Sequence, residues 1–221
     1  FLCLADIHLL SFVSTPRRPC PILPSWRSPV PDIDGVVLLP GAGGSKNHST
    51  LIALEDALHP IPVLRYELSY TRQGKRVPPR APKLVHELTE DCSWIANELG
   101  CEPKRIVFGG RSMGGRICSM AVAEGMPSAG LLLLSYPLHP PKKPDELRAG
   151  HFTDIDVPCL FVSSDNDPFG SPNEFRRHLR RIKGSVDSHF VKGGGHDPSS
   201  LGRTSEIVEH VSDWLTLLRG N

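Results

Sequence analysis

Gly110-Arg111-Ser112-Met113-Gly114 is a G-x-S-x-G pentapeptide. Such a run suits a serine exposed at the tip of a sharp turn between a strand and a helix, where the flanking positions have no room for side chains. An apolar run at residues 105–108 enters it and a helical stretch at 113–124 leaves it. Gly115 would let that helix pack closely on the strands beneath. The chemistry implied is nucleophilic attack by a hydroxyl at a helix N-terminus, where the dipole favours developing negative charge. A glycine-rich turn with a capping serine is the plainer reading of the same five residues. The strand before and the helix after favour the reactive one.

A serine hydroxyl is a weak nucleophile until a base takes its proton. His196, in Gly193-Gly194-Gly195-His196-Asp197, is the one histidine of ten on a flexible loop between a strand and the closing helix. A third group should orient the imidazole and stabilise its cation. In turns of this type the order along the chain is serine, acid, histidine. The segment Ser163-Ser164-Asp165-Asn166-Asp167-Pro168-Phe169 offers two candidates. Its spacing from the preceding strand favours Asp167 over Asp165, whose carboxylate would cap a turn instead.

Acyl transfer also needs donors for a tetrahedral oxyanion. The Met113 N–H, next to the serine, is one. The second is expected from Gly41-Ala42-Gly43-Gly44, after the first buried strand, with the Ala42 N–H preferred and Gly43 next. A phosphate-binding reading of this loop fails, because Lys46 stands where G-x-G-x-x-G needs its last glycine. Arg72, in a basic stretch with Lys75, Arg76 and Arg80, and His139, in a proline-rich turn after residues 131–134, are candidate substrate-binding residues. Both follow strands, at the edge where open α/β sheets bind ligands.

The elements that must position these groups alternate along the chain. Residues 35–40, 62–66, 105–109, 131–134, 159–162 and 188–191 read as strands. Residues 49–58, 81–99, 113–124, 174–182 and 206–218 read as helices, with Trp94 and Trp214 as core positions. Continuous branched apolar runs such as Gly35-Val36-Val37-Leu38-Leu39 suit strands buried on both faces. This predicts an α/β fold: a mostly parallel sheet with helices on both faces and right-handed crossovers. Between residues 130 and 157 there is little room for a helical lid, so an open site is expected.

The residues as a set resemble the small dienelactone-hydrolase-like branch of the α/β-hydrolases, related to animal testis-expressed and non-specific-lethal-complex hydrolase-like proteins. The matching segments are Leu39-Pro40-Gly41-Ala42-Gly43-Gly44, Arg80-Ala81-Pro82-Lys83-Leu84 and residues 109–115. Ser135-Tyr136-Pro137-Leu138-His139-Pro140-Pro141, Asp167-Pro168-Phe169-Gly170 and Gly194-Gly195-His196-Asp197 complete it. The resemblance implies the α/β-hydrolase fold and Ser112, Asp167 and His196 as a catalytic triad. Pro40 stands where relatives usually have histidine. Ser112 stands where true dienelactone hydrolases have cysteine. The combined expectation is a serine hydrolase cleaving a small soluble ester through an acyl-enzyme. A non-catalytic interaction module on the same fold and a peptide or thioester hydrolase are the competing readings.

Composition limits the alternatives. Lys+Arg 25 against Asp+Glu 24 gives no charge excess to attract nucleic acid. Six cysteines lack zinc-like spacing, and Cys118 and Cys159 sit in apolar runs, so reduced thiols and a cytoplasmic setting are expected, with no metal or cofactor. Residues 1–13 are apolar but too short to span a bilayer. Six prolines between Pro16 and Pro31 exclude helix and central strand. Residues 1–33 are therefore read as a proline-rich tail or linker, and 34–221 as the α/β-hydrolase domain.

Overall fold

The computed structural model describes residues 33–220. The proline-rich lead lies outside the described residues except for its last position, Ile33. That side chain is 2% exposed and packs with the core.

Six strands form one sheet: β1 Gly35–Leu39, β2 Val63–Arg65, β3 Ile106–Arg111, β4 Gly130–Leu134, β5 Cys159–Ser164 and β6 Val186–Val191. The order is β2-β1-β3-β4-β5-β6, and every neighbouring pair is parallel. Parallel neighbours need crossovers, and helices supply all of them but the one from β4 to β5. The helices are α1 Ser49–Ala57, α2 Ser69–Arg72, α3 Ala81–Leu99, α4 Met113–Ala123, α5 Pro172–Leu179 and α6 Thr204–Leu218, the last of which follows β6.

Alternation along each strand divides the core in two. Val37, Phe108, Leu131, Leu133 and Phe161 face the layer holding α3, α4 and α5. Val36, Leu38, Val107, Leu132, Leu160 and Val162 face α1 and α6. Both faces of the central strands are thus covered, which is why they read as unbroken apolar runs. Tyr136, Phe152, Phe161 and Phe175 form a chain of tilted and edge-on rings beneath the first layer. Each such buried ring contributes roughly 2–3 kcal/mol of transfer free energy. The Tyr136 hydroxyl donates to the Arg148 carbonyl at 2.7 Å, so this aromatic does not bury an unpaired polar group.

Several boundaries depart from expectation for physical reasons. Strand β3 continues through Gly110 and Arg111, because both still pair with neighbours: Leu39 with Gly110, and Arg111 with Leu134. Helix α5 begins at Pro172 and not at Glu174, since Ser171 and Glu174 form a reciprocal capping box around a proline at the first turn. Helix α3 ends where Gly100 takes a left-handed conformation. Trp214 is 4% exposed, but Trp94 is 50% exposed, contrary to the expected core position. Leu84, Leu88, Cys92 and Ile95 set the inward stripe of α3. Trp94 lies about 100° of helix rotation from Ile95, so its ring rests at the rim near Tyr66.

Cys92, Cys118 and Cys159 are buried free thiols, and burial pushes the thiols of all three up from their ordinary values. Among the described residues, no helix is long and apolar enough to cross a membrane. The segment 135–158, between β4 and β5, holds one short 3-10 turn, Gly150–Asp154, and no α-helix.

Candidate active site

Ser112 sits between β3 and α4 at φ 52° and ψ −116°. A side chain held there stores about 1–3 kcal/mol of strain. The surroundings enforce it. A Cβ at Gly110 would lie 2.2 Å from the Leu39 carbonyl oxygen, and one at Gly114 would lie 2.5 Å from the same atom. Strand β1 and helix α4 therefore close on the turn only because both positions are glycine. The Ser112 N–H donates to the Leu134 carbonyl at 2.8 Å, which fixes the turn to β4.

His196 Nε2 stands 2.8 Å from Ser112 Oγ. Its Nδ1 faces Asp167, 2.9 Å from Oδ2 and 3.1 Å from Oδ1. The Asp167 side chain is fully buried, while that of His196 is 22% exposed. Asp167 Oδ1 also accepts from the Phe169 N–H at 2.9 Å. The Phe169 ring covers the imidazole with centroids 4.1 Å apart. Carboxylate and ring together leave the imidazole few orientations. Asp165 does other work: its Oδ1 accepts from the Gly193 N–H at 2.8 Å. Asn166 likewise accepts from the Gly195 N–H at 2.9 Å. The loop after β5 thus holds the glycine-rich loop as well as supplying the carboxylate that faces His196.

A second tie was not legible from spacing. Arg111, inside the turn, reaches over to the histidine loop. Its Nη2 lies 3.2 Å from Asp197 Oδ2 and donates to the His196 carbonyl at 3.3 Å. His48, the N-cap of α1, places Nε2 3.3 Å from the same Asp197 oxygen. Burial alone would raise the Asp197 pKa, but the Ser199 hydroxyl, Arg111 and His48 outweigh it and hold the carboxyl below its ordinary value. Arg111→Met removes the strap while keeping an apolar stem of similar length. It is expected to lower kcat about 10- to 100-fold through misplacement of the base. KM and melting temperature should change little, as steady-state kinetics and calorimetry would read.

A cavity of about 480 Å³ opens beside Ser112. Gly41, Ala42 and Gly44 line it, together with the apolar Leu84, Ile117, Pro137 and Phe169. Met113 lines it too, and its N–H is the first of α4, where no intrahelical acceptor exists. Gly41 lies close to the serine, since a Cβ there would be 3.5 Å from Ser112 Cβ. Gly43 is not among the lining residues. Its Cα turns towards the Arg76 carbonyl, which a Cβ would meet at 3.3 Å.

Arg72 and His139, the expected substrate-binding residues, do not line the cavity. The Arg72 guanidinium bonds the Glu67 carbonyl, lies 3.7 Å from Glu87 and covers the Tyr66 ring. These contacts turn it back along its own loop. His139 is 6% exposed, with Nδ1 2.8 Å from the Pro140 carbonyl and Nε2 3.3 Å from Glu174 at the start of α5. The turn after β4 exposes Pro137 to the cavity and packs His139 behind it. Sequence reasoning missed Arg116 and Arg148, which line the cavity. Arg116 follows Ser112 by one helical turn, a spacing that was available as a signal.

Elsewhere, His189, Glu206 and His210 form the one group with metal-ligand proximity among the described residues. The two imidazoles are stacked, with centroids 3.4 Å apart and planes 28° from parallel. His189 Nε2 also lies 2.9 Å from Glu206 Oε1.

Comparison with known proteins places this geometry in context. A family model described as "Alpha/beta hydrolase domain" matches residues 33–213. Est1E from Butyrivibrio proteoclasticus superposes with a TM-score of 0.67 at 14% identity, over 86% of this chain and 90% of that one. A dienelactone hydrolase from Anabaena variabilis gives 0.64 at 16% identity, over 83% and 86%. A carboxylesterase from Bacillus cereus gives 0.59 at 19% identity, over 84% and 89%. At these identities the likeness is one of fold.

Proposed function

Because the chain belongs to the alpha/beta hydrolase domain family, we propose that it is a serine hydrolase cleaving small soluble esters through an acyl-enzyme. The observation that carries this reading is the continuous contact from Ser112 Oγ through His196 to buried Asp167. In the first half-reaction, His196 Nε2 takes the Ser112 proton as Oγ bonds the ester carbonyl carbon. The imidazolium is stabilised by Asp167, and the oxyanion meets the N–H groups of Met113 and of the 41–44 loop. Collapse breaks the bond to the alcohol oxygen, which leaves with the proton from His196. Water then repeats the sequence on the acyl-enzyme, and its proton passes through His196 back to Ser112. One ester and one water become one acid and one alcohol, with the enzyme restored.

The absence of an α-helix from 135–158 and the size of the cavity support short, soluble substrates over long lipids. Within the family we assign the chain to the dienelactone-hydrolase-like branch, on the segments quoted above. We read residues 34–221 as its hydrolase unit. Buried free thiols support a reducing, cytoplasmic setting.

The test is covalent labelling with a fluorophosphonate, which reports an activated serine independently of substrate choice. The folded protein is expected to label with one adduct, mapped by mass spectrometry to Ser112. A properly folded protein whose Ser112 stays unlabelled would favour the non-catalytic interaction module.

A further inference from the structure

Arg111, Arg116 and Arg148 all line the cavity, but only Arg111 has a carboxylate partner. Among the described residues, no Asp or Glu lies within ion-pair distance of the guanidinium of Arg116 or Arg148. Arg116 Nε is buried with no hydrogen-bond acceptor. Such a donor carries a desolvation cost that a bound acceptor removes. The two cations also act on each other. Burial first, and then the Arg116 charge, lower the proton affinity of the Arg148 guanidinium. The same charge, after burial, helps pull the neighbouring His151 down to about 4, so that ring stays neutral and adds no further positive charge. Arg116 stands in the first turn of α4, where the helix dipole already disfavours a cation. Two guanidiniums without a carboxylate in ion-pair distance and a helix N-terminus therefore share one concave surface beside Ser112. An oxyanion placed there would satisfy the orphaned donor, relieve the cation–cation repulsion and accept forked hydrogen bonds.

We propose that Arg116 and Arg148 form an oxyanion subsite of this cavity, so that the ester cleaved at Ser112 carries a carboxylate or phosphate group remote from the scissile carbonyl. This rests on the hydrolase reading and narrows it to anionic small esters. Spacing along α4 points to Arg116, one helical turn from Ser112, but not to Arg148, which follows a stretch of mixed charge, Lys142-Lys143-Pro144-Asp145-Glu146.

Two measurements separate this subsite from the hydrolase activity. The first is calorimetric titration of the Ser112→Ala protein with glutarate in one arm and inorganic phosphate in the other. One of them is expected to bind saturably, and Arg116→Gln or Arg148→Gln added to Ser112→Ala should weaken it roughly 10- to 100-fold. The arm that binds identifies the oxyanion. Binding of neither, or binding indifferent to both arginines, overturns the subsite whatever the enzyme hydrolyses. The second compares kcat/KM for the para-nitrophenyl half-ester of glutaric acid with that for para-nitrophenyl pentanoate. The ratio should exceed about 10 and fall at least that far in Arg148→Gln. Arginine-dependent anion binding with an unchanged ratio overturns the link to substrate. Hydrolysis of neither ester, with anion binding intact, overturns the hydrolase reading and leaves the subsite standing. Circular dichroism of each variant excludes misfolding as the cause.

Discussion

Ser112→Ala is expected to lower kcat for any ester the protein cleaves by about 10⁵- to 10⁶-fold, and to abolish fluorophosphonate labelling. The magnitude follows from what is removed. Among the described residues, no other hydroxyl lies within hydrogen-bond distance of His196 Nε2, so no described neighbour can inherit the attack. The residual rate would come from water activated by the intact histidine and from the N–H groups facing the cavity. Ground-state contacts remain, so KM should move less than severalfold. Alanine keeps the Cβ that the left-handed backbone at 112 already accommodates. The melting temperature should therefore stay within a few degrees, about a 1 kcal/mol effect. Loss of activity together with a collapsed melting transition would mean that Ser112 serves the turn and not the reaction.

Asp167→Asn is the second large effect. The carboxylate accepts from His196 Nδ1 and so holds the proton on that nitrogen, leaving Nε2 free to accept from Ser112. An amide can present N–H to Nδ1, which moves the imidazole proton to Nε2 and makes the base a donor. It also cannot stabilise an imidazolium as an anion can. A fall in kcat of about 10⁴-fold at neutral pH is expected, with little change in fold. Asp165→Asn provides the comparison. Its amide oxygen can still accept the Gly193 N–H, so less than about a threefold change is expected. Stopped assays of both variants decide between the two aspartates. A larger loss at 165 than at 167 would reverse their roles.

The parts of the molecule legible in the sequence are those where chemistry or sterics restricts residue type. Gly110 and Gly114 could be read as turn glycines because no side chain fits against Leu39, and the unbroken branched runs announced a sheet covered on both sides. Direction was not legible. Arg72 and His139 follow strands, as expected of ligand-binding groups, but local partners turn both away from the cavity. The same limit hid the contacts of Arg111 with Asp197 and of Asn166 with Gly195, which join segments far apart in the chain. Trp94 shows the helix version of this problem, since a single 100° step separates the buried stripe from the rim.

The order of the strands has a consequence for when the molecule becomes reactive. Ser112 and His196 are separated by 84 residues, and their loops are brought together by strands three places apart in the sheet, β3 and β6. On the proposed triad, the serine is an ordinary alcohol with no base to take its proton until β6 has joined β5 at the sheet edge. During synthesis, a chain that has emerged only as far as α4 would therefore be chemically silent, whatever local structure its turn has acquired. On that reading a covalent probe for Ser112 would count finished molecules and work as a stopwatch for assembly of the whole sheet.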